Sequence, residues 1–278
     1  MDASISPATS HIYKRCLSRY NQFVQLVGYS SGTIDNKLVR LWLAHLNKQG
    51  LAYGTICSHL SAIKHWCKKQ DLHINLNSPR IALILKGIKK TKGAALNMKK
   101  KGVATPSHIR RLWSTASILG KSKHRFRTMV VTAFYGFLRP SELCVSKAGH
   151  YLTQDSVKIG RNKHSISLTL RTFKHSTVAA TIKLKKERSG CCPVATMEKY
   201  IRSVFPPEPK APLFNLTTNE FRDELSRVCT AAKIRTKLTP HSFRHGGATW
   251  AASRGWPDSR IRAHGRWRSN AFLRYVRA

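Results

Sequence analysis

Acidic residues are scarce in this sequence. Its 278 residues include 12 Asp and Glu against 50 Lys and Arg, which gives a formal net charge of +38. A nuclease site with two metal ions needs several clustered carboxylates, so this shortage argues against that class of enzyme. Because a folded chain with so much like charge repels itself, we expect a polyanion to neutralise it. Nucleic acid is the first candidate, and an anionic membrane surface is the second.

Long apolar runs and regularly spaced cysteines are absent as well. No apolar run approaches the ~20 residues that cross a bilayer, and the N-terminus lacks the apolar core of a signal peptide. We therefore do not expect a membrane partner. The seven cysteines include no C-x-x-C pair, which favours free thiols in a reducing compartment and argues against a structural zinc or other metal site.

Apolar residues recur near a 3.6-residue period in the first third of the sequence, which predicts amphipathic helices. Short connections between these helices indicate a small all-α domain over residues 1–90. The predicted helices cover residues 11–28, 33–46, 53–70 and 79–90.

The third predicted helix has a polar face opposite its apolar residues. Basic and hydrogen-bonding side chains on such a face are suited to contact with nucleic acid. The predicted contacts are Thr55, His59, Lys64 and Lys68.

Residues 89–101 read KKTKGAALNMKKK and have no apolar period. We predict that residues 91–104 form a basic linker between two domains. Such a charge run is either a solvated segment, for example a nuclear-import signal, or a strap that lies along a phosphate backbone. In the second case the contacting residues are Lys89, Lys90, Lys99, Lys100 and Lys101.

A second domain is predicted over residues 105–278. Between 155 and 187 the apolar period changes and β-branched residues become frequent, which predicts a three-stranded antiparallel sheet whose second turn carries Lys174. The fold class is therefore mainly α with a small antiparallel β-sheet. The helical patterns of this domain cover residues 107–118, 123–137, 193–204 and 219–232.

The second domain contains two pairs of functional side chains and a tyrosine near its end. Arg139 and Glu142 are three residues apart in an apolar stretch, where an unpaired Arg would be costly, so we expect the carboxylate to hold the guanidinium. His241 and Arg244 have the same spacing and share one face of a helix. Tyr275 lies on the apolar side of a last predicted helix. From these residues alone, it is either a core phenol or a nucleophile.

Five sequence elements in order resemble the tyrosine recombinase, or phage-integrase-like, family. They are Arg139 in an R-x-x-E context, Lys174 on a hairpin turn, HSFR from His241, GRW at 265–267, and Tyr275. The GATW that follows HSFRH and the GRWRSNAFLRY ending are similar in particular to the recombinases of eukaryotic DIRS-type and crypton mobile elements. The resemblance covers the second domain and, more loosely, the first hundred residues.

This resemblance implies a fold and a reaction. A helical core-binding (SAM-like) domain and an α+β catalytic domain would form a C-shaped clamp on DNA. Tyr275 would attack the scissile phosphate to form a 3′-phosphotyrosyl link, while Arg139 and Arg244 bind the non-bridging oxygens. Lys174 would protonate the leaving 5′-oxygen, and His241 would assist proton transfer or bind the phosphate. Because the ester keeps the bond energy, the reaction requires no ATP, metal or other cofactor.

One position departs from the family pattern. Many members have Gly-His at the place where this chain has Gly265-Arg266, and that His, or a Trp, binds the phosphate. We predict that Trp267 takes this role, because an indole N–H can donate to a phosphate oxygen. Arg266 is the main competitor. His264 lies on the other side of the glycine. We predict that His264, Arg266 and Glu142 are supporting residues of the site.

These expectations describe a site-specific DNA recombinase or integrase. It would act on double-stranded DNA as a homotetramer, with a monomer or dimer free in solution, and would exchange strands through a Holliday junction to integrate or excise a mobile element. A eukaryotic protein would work in the nucleus, and a bacterial one on nucleoid DNA in the cytoplasm. The alternatives are a type IB topoisomerase-like enzyme and a non-catalytic DNA-binding descendant.

The positive charge predicts a steep dependence of DNA binding on salt. A protein that neutralises between six and ten phosphates loses about 10³- to 10⁵-fold in affinity between about 50 and 200 mM salt, because bound counterions are released. We expect a loss of this size when binding to labelled duplex DNA is measured by fluorescence anisotropy. A nearly flat response would contradict extensive contact with the phosphate backbone.

Overall fold

The computed structural model describes residues 4–96, 102–146, 149–173, 176, 178–188, 190–204, 208–274 and 276. The chain divides into two compact units, Met1–Lys100 and Lys101–Ala278. Each unit has its own hydrophobic core, as expected for separate domains. Among the described residues, no helix has the length and apolar character needed to cross a membrane.

Among its described residues, the first unit is a bundle of four helices. Asp35 begins the second helix by accepting a hydrogen bond from the backbone N–H of Leu38 at 2.7 Å. The core is centred on Trp42, whose ring centroid lies 6.0 Å from that of Tyr20 and 5.1 Å from that of Phe23. The helices are α1 (Pro7–Leu26), α2 (Asn36–Lys48), α3 (Tyr53–Lys69) and α4 (Pro79–Leu96).

The last helix of this unit is longer than the sequence pattern predicted. Residues 91–96 were expected to belong to the linker at 91–104, but α4 continues to Leu96. Burial of Ile88 anchors the helix, and Lys92 donates from Nζ to the carbonyl of Leu51 one turn further on. A segment without an apolar period can therefore extend a helix that is already held by packing. The remaining linker lysines, Lys99, Lys100 and Lys101, lie outside the described residues.

The prediction that His59 faces nucleic acid is wrong. Its side chain is buried, with 3% of its surface exposed, and its ring packs edge-on against Trp42 at a centroid distance of 5.5 Å. His59 lies between Ile56 and Ile63 at helical spacing, so it shares their buried face. Burial lowers its pKa and favours the neutral imidazole.

The second unit combines seven α-helices and three strands among its described residues. Its core combines aliphatic and aromatic side chains of the helices with aliphatic side chains of the sheet. Short 3₁₀ turns cover Ala116–Ser122, Gln154–Ser156 and Asn270–Arg274. The helices are α5 (Pro106–Thr115), α6 (Lys123–Tyr135), α7 (Pro140–Leu143), α8 (Pro193–Ser203), α9 (Thr218–Ala231), α10 (Pro240–Ser253) and α11 (Asp258–Gly265).

The predicted three-stranded antiparallel sheet is confirmed. Its strands are β1 (Val157–Ile159), β2 (Ser165–Leu170) and β3 (Ala180–Lys185), in the order β1-β2-β3. Burial alternates along β2, which places one face of the sheet on the core and leaves the other half-buried. All seven cysteines are free thiols, including the adjacent pair that precedes α8.

Two glycines allow α10 to pass close to neighbouring backbone. A Cβ atom added at Gly246 would lie 1.9 Å from the carbonyl oxygen of Ala104, and one added at Gly247 would lie 2.0 Å from that of Phe134. Because Phe134 belongs to α6, Gly247 fixes the separation of α6 and α10. α10 carries His241 and Arg244, and α6 leads directly into the turn that carries Arg139.

We predict that Gly247→Ala destabilises the second unit by about 1–3 kcal/mol through overpacking. The clash outweighs the gain in helix propensity of about 1 kcal/mol that alanine offers over glycine. The measurement is urea unfolding followed by tryptophan fluorescence.

Gly190→Ala is the matched control, because Gly190 belongs to the same unit and has open space around it. The urea midpoint of Gly190→Ala should stay close to that of the parent protein. Equal midpoints for Gly247→Ala and Gly190→Ala would show that α10 can move away from α6 at little cost.

Candidate active site

The site begins at the turn between α6 and α7. Phe137 has a φ angle of 47°, in the left-handed region, and its side chain is fully buried. Arg139 then precedes the first turn of α7, and its backbone N–H donates to Oε2 of Glu142 at 2.7 Å. The local sequence R-P-S-E therefore forms one capped helical turn, with proline at the first helical position.

Glu142 is the central acceptor of the site. Its carboxylate is 1% exposed and accepts hydrogen bonds from two guanidinium groups. Nη1 of Arg139 lies 2.8 Å from Oε1, and Nη2 of Arg266 lies 2.7 Å from Oε2. The ion pair of Arg139 with Glu142 that their spacing indicated is therefore present. The sequence did not reveal the second guanidinium, which comes from a segment more than a hundred residues away.

Arg244 reaches the same region from α10. Thr239 and Ser242 cap the start of this helix, with 2.9 Å between the backbone N–H of Thr239 and Oγ of Ser242. Arg244 is 1% exposed. Its Nη1 donates to the carbonyl of Phe137, and its Nη2 donates to the carbonyl of Gly265 at 2.6 Å. These contacts join α10 to the α6–α7 turn and to the end of α11.

Three side chains at the GRW segment, those of His264, Arg266 and Trp267, contact three different partners. Arg266 ends α11 in the left-handed conformation, with φ 55° and ψ 44°, and turns its side chain to Glu142. The ring of Trp267 lies under the guanidinium of Arg244, 4.1 Å from its Cζ atom. Nε2 of His264 lies 2.8 Å from the carbonyl of Tyr135, on the far side of the segment.

A small aromatic cluster fixes these positions. The ring of Trp267 packs so tightly on Gly265 that a Cβ atom there would lie 1.7 Å from Cζ3 of the ring. Its centroid is 6.3 Å from that of Phe137 and 6.2 Å from that of Phe272. The predicted contact of the Trp267 indole N–H with a phosphate stays a prediction.

The pKa values of these groups reflect the balance between burial and charge. Burial alone would raise the pKa of Glu142, but the charges of Arg266, Arg139 and Arg244, together with the Arg139 N–H, hold it below its ordinary value. Burial lowers the pKa of Arg266, and Glu142 opposes that shift. Burial also lowers the pKa of His264. We call Arg139, Arg244 and Arg266, which lie around Glu142, the arginine cluster; together with that carboxylate they have a formal net charge of +2, three positive charges less one negative.

The structure describes one of the three remaining predicted catalytic residues, His241. His241 is half-buried on the first turn of α10, with its ring centroid 5.7 Å from that of His245. Lys174 and Tyr275 lie outside the described residues. Flanking Lys174, Phe173 and Ser176 exchange two backbone hydrogen bonds of 3.1 and 2.8 Å. Near Tyr275, Phe272 is 2% exposed.

Four of the predicted DNA contacts that the structure describes in the first unit are exposed. Lys64 is half-buried, and its Nζ lies 2.5 Å from Oδ1 of Asn77. The exposed residues are Thr55 and Lys68 on α3 and Lys89 and Lys90 on α4. In the part of the chain that the structure describes, no group of three or more His, Cys, Asp or Glu side chains is arranged to hold a metal ion.

Comparison with known proteins decides the family. The profile of the phage integrase family matches residues 103–277, and that of the phage integrase N-terminal SAM-like domain matches residues 1–68. The chain belongs to the phage integrase family. This is a family of DNA breaking and rejoining enzymes, the tyrosine recombinases. A search of curated proteins finds no match to the sequence.

Solved structures of integrases and recombinases share the fold. The integrase of the Tn1549 transposon, solved with circular intermediate DNA, has a TM-score of 0.66 at 15% identity, over 100% of this chain and 92% of that one. The XerH recombinase bound to palindromic difH has a TM-score of 0.70 at 15% identity, over 95% and 75%. A lambda integrase dimer bound to a COC′ core site has a TM-score of 0.66 at 14% identity, over 99% and 90%.

We predict that Glu142→Gln destabilises this integrase-family protein by about 3–5 kcal/mol at neutral pH, because buried guanidinium groups lose their counter-charge. Since folding lowers the pKa of Glu142, its stabilisation is present above the unfolded value of about 4.3 and is lost as the pH falls through the folded pKa. The difference in unfolding free energy between the parent protein and Glu142→Gln should therefore become smaller as the pH falls.

The measurement is denaturant unfolding between neutral pH and the acid limit of the folded state. Glu220→Gln is the control, because the side chain of Glu220 hydrogen-bonds locally to Thr217 at the surface of α9. If Glu142→Gln lowered the free energy of unfolding by the same amount down to low pH, Glu142 would not be charged in the folded protein.

Proposed function

We propose that this protein is a site-specific DNA recombinase in which Tyr275 is the nucleophile. The observation that carries the proposal is the arginine cluster, a buried group of three guanidiniums around one carboxylate. Buried charge of one sign is costly unless an anion completes it. A scissile phosphodiester is such an anion, and bidentate guanidinium groups match its oxygens.

The reaction balances without an added cofactor. The phenol of Tyr275 gives its proton to a nearby base or to water and its oxygen bonds to phosphorus, while the bond to the 5′-oxygen breaks and that oxygen takes a proton to become a 5′-hydroxyl. Lys174 donates this proton, and His241 on α10 assists its transfer or binds the phosphate. Because a phenol has a pKa near ~10, Tyr275 needs nearby positive charge to react at neutral pH. The 3′-phosphotyrosyl ester keeps the bond energy for rejoining.

The wider role is strand exchange by a homotetramer through a Holliday junction. The likeness to DIRS-type and crypton recombinases in GATW and GRWRSNAFLRY supports a mobile element as the origin and a eukaryotic nucleus as the place of action. A solved structure of similar fold is a transposon integrase. Exposed Thr55, Lys68, Lys89 and Lys90 supply DNA contacts from the first unit.

The proposal predicts a covalent complex between the protein and DNA. The probe is a pool of nicked duplexes with randomised sequence around the nick, because a cleaved short strand then diffuses away and the ester persists. We expect protein–DNA adducts that survive denaturation in SDS, from which the preferred sequence can be read. Tyr275→Phe should form no adduct, since it lacks the nucleophilic oxygen.

Two outcomes would contradict the proposal. An adduct of Tyr275→Phe in the same yield would mean that another residue is the nucleophile. Relaxation of supercoiled plasmids that lack any selected sequence, by a protein that stays monomeric, would instead support a type IB topoisomerase.

A further inference from the structure

Arg266 follows Gly265 at the place where many family members have a phosphate-binding His, and it was the main competitor of Trp267 for that role, yet its guanidinium turns to Glu142. We infer that Arg266 is a positioning residue: it holds the carboxylate of Glu142, which in turn fixes the guanidinium of Arg139 for the scissile phosphate. The inference deepens the proposed recombinase function and rests on it. Three features of the structure support it.

The first feature is the division of the Glu142 oxygens between two arginines. Oε1 faces the Nη1 of Arg139 at 2.8 Å, while Oε2 faces both the backbone N–H of Arg139 and the Nη2 of Arg266, each at 2.7 Å. A carboxylate with hydrogen bonds in several directions cannot rotate without breaking one of them. Arg266 therefore restricts the orientation in which Glu142 presents Oε1 to Arg139. Without Arg266, the hydrogen bonds to that carboxylate from the described residues would come from Arg139 alone.

The second feature is the fixed geometry of Arg266 itself. Its side chain is 5% exposed, and its Nη1 donates to the carbonyl of His264 at 2.9 Å. The left-handed backbone of a non-glycine residue costs about 1–2 kcal/mol, so the surroundings must impose it. The conformation brings Nη2 onto Glu142 and also places it 3.4 Å from the carbonyl of Phe137. That carbonyl is the one that accepts from Arg244.

The third feature is that a bound phosphate could not reach the guanidinium of Arg266. Both of its Nη atoms have protein acceptors. Its Nε–H has no partner among the described residues, but the atom is closed to solvent, so a phosphate would reach it only after a change of structure. Arg139 differs, since 18% of its side chain is exposed. Arg266 therefore acts through Glu142, and Arg139 meets the phosphate.

The charge of the site fits this division of roles. The three guanidiniums and the carboxylate of Glu142 together have a formal net charge of +2, three positive charges less one negative. A phosphodiester carries one negative charge, and attack by a phenolate brings a second into the transition state. Two positive charges therefore match the transition state better than the ground state, which is the condition for faster chemistry. Removing Arg266 would leave one charge and a loosely held Glu142.

The first test reads Glu142 directly and needs no DNA. The chain has six glutamates, Glu142, Glu187, Glu198, Glu208, Glu220 and Glu224, so carbon-13 labelling of glutamate carboxyls gives few NMR signals, and loss of one in Glu142→Gln assigns it. In Arg266→Met the pKa of Glu142 should rise, because the charge of Arg266 is the largest influence that lowers it. Arg266→Lys should restore part of the shift.

Arg125→Met is the matched control. Arg125 pairs with Glu224 in the same unit, and both side chains are half-buried or buried, so this variant also loses an ion pair but leaves the site intact. It should leave the Glu142 titration unchanged. An unchanged Glu142 pKa in Arg266→Met would overturn the inference whatever the enzyme does.

The second test measures single-turnover cleavage of the selected nicked duplex. Arg266→Met should slow adduct formation about 10²-fold, the effect of a misplaced group in a catalytic site, with little loss of DNA affinity. The double variant Glu142→Gln with Arg266→Met should be little slower than the slower single variant, because the two residues act as one unit. Arg125→Met should cleave at the parental rate.

The outcomes separate the two proposals. If the parent protein forms no adduct, the recombinase function fails, whereas the NMR arm still decides whether Arg266 holds Glu142. If the parent cleaves and the rate losses of Glu142→Gln and Arg266→Met multiply fully, Arg266 acts on the phosphate independently of Glu142. That result would overturn the positioning role.

Discussion

A single buried carboxylate, that of Glu142, determines how the rest of the site is arranged. A buried charge is tolerated only with partners that surround it, and here the partners come from its own helical turn and from the residue that ends α11. The carbonyl of Phe137 extends the network, because Arg244 donates to it and, through its other nitrogen, to Gly265. Three segments that are far apart in the sequence are thereby fixed relative to one another.

The network requires unfavourable backbone at two of its junctions. Phe137 and Arg266 both have positive φ angles, of 47° and 55°, although neither is a glycine. Such conformations cost energy and persist where the surroundings impose them, which is common at functional sites. The burial of Phe137 and the ion pair of Arg266 provide that constraint. In free protein the positive charges of the cluster repel one another, so the site is arranged for an anion before the anion arrives.

Sequence patterns predicted those parts of the fold and site that depend on local spacing. The ion pair of Arg139 with Glu142 follows from their separation of three residues in an apolar stretch, and the sheet follows from its β-branched period. The face of α3 was assigned wrongly at His59, because a histidine beside apolar positions can lie on either side of the boundary. The extension of α4 to Leu96 was missed because packing upstream, rather than periodicity, maintains it.

The partners of Arg266 and Trp267 could not be predicted from the sequence for a different reason. At a helix end, one residue in the left-handed region changes the direction of every following side chain. Counting along the sequence therefore could not show that Arg266 faces Glu142 or that Trp267 covers Arg244. The sequence offered one signal, the glycine at position 265, because only glycine leaves room for the ring of Trp267.

The site is complete only if the tyrosine that follows Arg274 enters it and forms the ester. The most direct measurement is mass spectrometry of the covalent protein–DNA adduct after digestion with nuclease and trypsin. Trypsin cleaves after Arg274 and Arg277, so the account predicts a nucleotide joined through its 3′-phosphate to the peptide Tyr275-Val276-Arg277. A nucleotide on any other peptide, or one joined through a 5′-phosphate, would contradict it.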